Sequence, residues 1–247
     1  GSSKMPNCST CTLFELESDE EDCLHVNRPG GLNLTRKVVE ACRLPAGSSV
    51  LDAACGTGTT LDFLRNEMNL NAVGVDFSRV MLRKSMQQHS NISGIQASCL
   101  DLPLPDASRD AVLMECALSL AGEMPRSLSE FKRVLRPGGF LMLTDIYIRE
   151  LNDPRGLDCL PASSCLAGAR SEAFLRGEIE EAGFTISVWQ DETALFKAWL
   201  ARMIFKLGSL AAVYRRMVSC DQDARCMADG LGSAIKLGYY SMIAQKL

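Results

Sequence analysis

The chain has 247 residues, a net charge of −4 and 47% apolar residues, which suits one large domain with a sizeable core and supplies no global basic field for nucleic acid. No run of about 18 apolar residues is present, so neither a membrane span nor a secretory leader is expected; Gly1-Ser2-Ser3 reads as a cloning remnant. The 11 cysteines are scattered through helices, strands and loops, which points to the free thiols of a cytoplasmic protein rather than a disulfide framework; the alternative for each is a small buried hydrophobe.

Residues 1–27 form an acidic, cysteine-bearing segment, with Glu15, Glu17 and the run Asp19–Asp22. Cys8-x2-Cys11 with Cys23 and His25 offers soft ligands for a tetrahedral metal site, but the second half of that spacing is irregular and no metal is assigned to it. The domain proper is expected over 28–247. Arg28-Pro29-Gly30-Gly31 reads as a turn, and Leu32–Cys42 as a helix with Leu34, Val38 and Ala41 on one face. Ser49–Thr60 reads as a short buried strand, a glycine turn and a helix start that Thr59 or Thr60 can cap. Gly56 and Gly58 remove side chains that would keep a ligand from the backbone. Asn71–Asp76 is a second strand, and Ser78 caps a helix carrying Val80, Met81 and Leu82.

Ile95–Ala97 and Asp110–Met114 are the third and fourth strands, the latter running out at Glu115-Cys116. A helix over Pro125–Leu135 is broken by Arg136-Pro137-Gly138-Gly139 and followed by a fifth strand, Phe140–Ile146. A loop with Cys159 and Cys165 leads to a helix at Ser171–Ala182 and a sixth strand at Phe184–Gln190. Residues 191–230 break the rhythm as an apolar helical insertion with a basic edge (Lys197, Arg202, Lys206, Arg215, Arg216), read as a crevice wall or, alternatively, a homodimer interface. Tyr239–Lys246 closes the chain as an antiparallel strand. The alternation predicts an α/β, Rossmann-like, doubly wound and mostly parallel sheet.

In such a sheet the ligand lies outside the carboxyl ends of the strands. Asp52, the Gly56–Gly58 turn, Asp76, Asp101 and Glu115 all fall at those ends. Asp76 stands where an acid can accept from both hydroxyls of a ribose. Leu61 occupies the third-glycine position of a dinucleotide fingerprint, and no Gly-Lys-Ser/Thr follows the turn. Asp52 would repel a pyrophosphate and suits a cationic ligand.

These residues resemble the class I S-adenosylmethionine-dependent methyltransferases. Val50–Thr59 looks like the family's first motif with Ala54 where glycine is commonest, Val73–Ser78 like the second, and Cys99-Leu100-Asp101-Leu102-Pro103 like the third. Phe131–Gly139 resembles the stretch before the fifth strand. The resemblance implies S-adenosylmethionine as cofactor, with the turn around Gly56 beneath its methionine part. Asp76 would then hold the ribose, Phe77 or Met81 the adenine face, and Asp101 the adenine amino group beside Leu102. Arg28, Gly30, Asp52, Ala54, Cys55, Thr57, Gly58, Ser78, Cys99, Leu100 and Glu115 complete the implied cofactor site. In-line displacement at a sulfonium methyl needs alignment rather than a protein nucleophile, so no catalytic residue is implied.

The acceptor is expected to be a small molecule, without nucleic acid. Ser164–Ala169 is similar to a loop of the arsenite methyltransferases in which a cysteine binds the metalloid, although Leu61 stands where those enzymes place another cysteine. Glu115–Leu120, the Cys165 loop and Gly208–Ala212 together look more like a bacterial small-molecule branch, of the methyltransferase type 11 kind. Glu115, Cys116, Cys165, Cys220 and Cys226 are therefore the acceptor-pocket candidates, for a thiophilic or metalloid substrate or as a redox pair. A non-catalytic cofactor-binding protein or thiol sensor on the same fold is the alternative.

Overall fold

The computed structural model describes residues 28–92, 94–153, 166, 168–217 and 234–247. Among them, seven strands form one sheet in the order β3-β2-β1-β4-β5-β7-β6. The strands are β1 Ser49–Ala53, β2 Asn71–Asp76, β3 Gly94–Gln96, β4 Arg109–Glu115, β5 Leu135–Leu151, β6 Phe184–Asp191 and β7 Ile235–Lys246. The first five pair in parallel, and β7 enters antiparallel between β5 and β6. This is the predicted architecture. Strand order reverses at β1, whose neighbours are β2 and β4, so a crevice opens at their carboxyl ends.

The helices are α1 Gly31–Ala41, α2 Thr59–Asn66, α3 Arg79–Gln88, α4 Met124–Val134, α5 Glu172–Glu181, α6 Thr193–Leu207 and α7 Leu210–Met217, with a 3₁₀ turn at Leu118–Leu120. Two apolar clusters sandwich the sheet. One joins Leu34 and Val38 of α1 and Leu61 and Leu64 of α2 to Leu113, Met142 and Tyr239. The other joins Leu128 and Phe131 of α4 and Leu175 and Ile179 of α5 to Leu51, Leu143 and Tyr240. Tyr239 and Tyr240 face opposite layers, as successive strand residues do. Among the described residues no helix is long and apolar enough to cross a membrane.

Two expectations are corrected. The fifth and last strands run further than their apolar cores, to Leu151 and back to Ile235, because they pair with each other along that whole length. The added ladder carries charge, with Lys236 Nζ 2.6 Å from Glu150 Oε2 across it, so hydrophobic patterning does not reveal it. Neither Thr59 nor Thr60 caps α2: its N-cap is Gly58 at φ 80° with no side-chain hydrogen bond, and the Thr60 hydroxyl is committed elsewhere.

Candidate cofactor and acceptor site

The crevice floor is a run of left-handed backbone after β1, with Ala54 at φ 61°, Gly56 at 54° and Gly58 at 80°. The Cys55 N–H donates to Val75 O at 3.0 Å and the Gly58 N–H to Cys55 O at 2.9 Å, which locks the turn against β2. Gly58 is required by packing as well as by its φ, since a Cβ there would lie 2.2 Å from Ser85 Oγ of α3. At Gly56 a Cβ would meet only the Met81 methyl at 3.4 Å, so this side of the turn is open. Ala54 holds a conformation that costs a residue with a Cβ about 1 kcal/mol. Ala54→Gly is expected to stabilise the fold by about 0.5–1 kcal/mol, read as a higher urea midpoint at unchanged slope.

Asp76 pins this turn. Its Oδ2 accepts from the Gly56 N–H at 2.8 Å and its Oδ1 from the Ser78 N–H at 2.8 Å. Ser78 in turn caps α3 by accepting from the Met81 N–H at 3.2 Å. Phe77 beside it is exposed. The third-motif loop is held from α4: the Leu102 N–H donates to Glu130 Oε2 at 2.7 Å, and Arg133 donates to Leu102 O at 2.8 Å. Leu102 is buried, whereas Asp101 is exposed and bonds back to Ser98 through its N–H. The Leu100 N–H reaches Ser98 Oγ at 3.1 Å. Thr57 is half-buried in the turn.

Two acids meet at the ends of β1 and β4, and only one is compensated. Glu115 takes Arg28 Nη2 at 2.8 Å and Thr60 Oγ1 at 3.0 Å on Oε1, and Thr35 Oγ1 at 2.8 Å on Oε2. Arg28 also donates to the Thr35 hydroxyl. Burial works to lower the Arg28 pKa, but the charges of Glu115, Tyr239, Cys116 and Asp52 together outweigh it and the guanidinium stays charged. Asp52 is 3% exposed, and its Oδ2 is buried without a hydrogen-bond partner. Burial first, then the charges of Glu115 and Asp76 against the opposing Arg28, push its pKa well above the usual carboxylate range. Thr35, Thr60 and Asp52's isolation are thus the structural additions to the predicted site; Gly30 packs beside α6, where a Cβ would lie 3.0 Å from Leu195 Cδ1.

On the acceptor side, Cys116 sits at φ 54°. Its N–H donates to Thr144 O at 2.8 Å, and its Sγ lies 2.8 Å from the Tyr239 hydroxyl, which also reaches Thr144 Oγ1 at 3.3 Å. Tyr239 and Thr144 were not singled out from the sequence, because β7 reaches this corner only through long-range pairing. The Cys55 thiol is buried against β2, where a Cβ on Gly74 would lie 2.6 Å from Sγ, and burial pushes its pKa up. Burial likewise pushes the half-buried Cys99 thiol up to about 12. Both are neutral thiols. Cys8, Cys11, Cys23, His25, Cys159, Cys165, Cys220 and Cys226 lie outside the described residues.

Behind this corner, buried Asp145 accepts from the Ser119 N–H at 2.9 Å, Ser119 Oγ at 3.1 Å and the Ile146 N–H at 2.8 Å. Burial outweighs these bonds and raises its pKa from 3.8 to about 6. Between those values the folded state binds more protons than the unfolded state, so this group's contribution to stability is present at low pH and is lost as pH rises to about 6. Asp145→Asn is expected to flatten the fall in stability over that window, by roughly 1–3 kcal/mol, in urea titrations at successive pH values.

The sheet order and the crevice geometry define a Rossmann-like methyltransferase fold. Residues 51–143 match the family model described as "Methyltransferase domain". A demethylmenaquinone methyltransferase of Symbiobacterium thermophilum is 37% identical over 112 residues, 42% of this chain and 45% of that protein; this chain thus spans about half the length of the curated relatives it matches. Among solved structures, the [4+2]-cyclase SpnF is 25% identical with a TM-score of 0.65, covering 87% of this chain and 80% of that one. Phosphoethanolamine N-methyltransferase 2 of Haemonchus contortus in complex with S-adenosyl-L-methionine has a TM-score of 0.75 at 16% identity, covering 96% of this chain and 57% of that one. The chain thus carries a methyltransferase-domain match over residues 51–143 and shares the fold of S-adenosylmethionine-dependent methyltransferases.

Proposed function

We propose that the protein binds S-adenosylmethionine and transfers its methyl group to a small molecule. The observation that carries this reading is Asp52, a fully buried carboxylate with an unpartnered oxygen beside the glycine turn. Such a group is costly until a cation reaches it, and the ammonium of the cofactor's methionine part is the cation the crevice suits. Asp76, on the open side of the Gly56 turn, would accept from the ribose, with Phe77 and Met81 against the adenine and Asp101 toward its amino group. When bound, the cofactor supplies an electrophilic sulfonium methyl. The chain's own contribution is alignment and exclusion of water.

The acceptor would meet Cys116, whose thiol the buried Tyr239 and Thr144 hold in place through their hydrogen-bond chain. A thiophilic or metalloid acceptor remains the finer form of this reading, resting on Cys116 with Cys165, Cys220 and Cys226. The neutral thiols of Cys55 and Cys99 supply no thiolates to it. SpnF, named as a cyclase, shows why reaction must be tested apart from fold. The test is formation of S-adenosylhomocysteine that depends on an added acceptor, screened over phenols, amines, thiols and arsenite. Cofactor binding without turnover across that screen would favour a non-catalytic binding role.

A further inference from the structure

Among the described residues, α6 of the insertion buries little of its apolar surface. In α6 only Thr193 is fully buried. Leu195, Phe196, Trp199, Leu200, Met203 and Ile204 are all half-buried, and Phe205 is 93% exposed. The stretch 193–217 contains five cations (Lys197, Arg202, Lys206, Arg215, Arg216) and no acid. Packed against a second copy of itself, such a face would bring like charges together.

The complementary element lies in the same chain. Residues 1–27 hold six acids, Glu15, Glu17, Asp19, Glu20, Glu21 and Asp22, against one lysine, and so account for all of the chain's net negative charge. Leu13, Phe14 and Leu16 stand at their head. The described chain begins beside α6: a Cβ on Gly30 would lie 3.0 Å from Leu195 Cδ1, and Lys37 Nζ is 2.7 Å from Glu192 Oε1 at the foot of α6. An extended segment of 27 residues spans up to about 90 Å, whereas α6 is about 22 Å long. Reach is not limiting, and tethering at the first turn of α6 makes the local concentration high.

We propose that the acidic segment, centred on residues 13–22, docks on the exposed side of α6, which carries Lys197, Arg202 and Phe205. Leu13, Phe14 and Leu16 would cover Phe205, and the acids that follow would meet Lys197 and Arg202. The inference rests on charge, exposure and the entry point of the chain, and holds whatever the reaction.

Hydrogen exchange of the full chain tests it. Neutralising the segment (Glu15→Gln, Glu17→Gln, Asp19→Asn, Glu20→Gln, Glu21→Gln, Asp22→Asn) is expected to speed exchange of amides 193–207 about fivefold or more, with amides of β1 and β4 unchanged as the control for folding. The separate pair Lys197→Glu and Arg202→Glu is expected to do the same, and about 1 M salt to reproduce both effects. Unchanged α6 exchange in both variants overturns the proposal. So does protection that appears only with rising protein concentration, or only with phosphatidylserine–phosphatidylcholine vesicles, because the occupant would then be a second copy or a membrane.

Discussion

Asp52→Asn is expected to weaken S-adenosylmethionine binding about 10- to 100-fold while making the ligand-free protein more stable. The two halves of that outcome come from one carboxylate. In the ligand-free fold Asp52 is buried with an unpartnered oxygen, next to Glu115 and Asp76. Its pKa is raised well above 3.8, first by burial and then by Glu115. Above pH 3.8 the unfolded chain releases this proton more readily than the folded one, so stability falls as pH rises toward the raised value. The amide removes that loss, and about 1 kcal/mol or more of stabilisation follows. With a cationic ligand in place the sign reverses, since a charge-assisted hydrogen bond contributes about 1.5–3 kcal/mol that an amide cannot supply in full.

Binding of the cation must also drive off the Asp52 proton. Affinity should therefore climb with pH, by up to about tenfold per unit, until the raised pKa is passed. The Asn variant should lack that slope. Calorimetry in two buffers of different ionisation heat reads proton release directly, and a urea series gives the stability half. Weaker binding with lower stability would mean that Asp52 is structural; equal binding would remove it from the cofactor site.

The parts of this site that the sequence discloses are those built from short stretches. Val50–Gly58 carries a strand, a turn and the acid together, so the crevice, Asp52 and Asp76 are legible from spacing. Their partners are not. Thr35 reaches Glu115 across 80 positions, and Tyr239 reaches Cys116 across 123; neither distance leaves a local pattern. Roles also shift where one residue can serve twice. Gly58 reads as room for a ligand, but Ser85 of α3 needs that space. Thr60 reads as a helix cap, but its hydroxyl is taken by Glu115. Cys55 sits in the first motif yet turns its thiol into the layer over β2, because a residue between two left-handed positions cannot choose its face independently.

The second large effect belongs to Arg28 and Glu115. Their side chains are 11% and 5% exposed, with Nη2 2.8 Å from Oε1, and Thr35 and Thr60 occupy more of the carboxylate's acceptor capacity. Arg28→Ala leaves Glu115 buried without its cation and beside Asp52, and is expected to cost about 3–5 kcal/mol. Replacing both partners is a different experiment. Arg28→Met with Glu115→Leu puts apolar volume where two desolvated charges stood, and is expected to return to within about 1 kcal/mol of the parent. The double replacement also separates scaffold from ligand contact. If Glu115 serves to hold the strand ends and α1 together, cofactor affinity in the folded double variant stays within about threefold of the parent. The net field on Asp52 supports that expectation, because Glu115 raises its pKa by more than Arg28 lowers it, so removing both eases ionisation of the group proposed to meet the cation. A stable double variant that binds the cofactor more than tenfold weaker would place Glu115 or Arg28 in contact with the ligand instead.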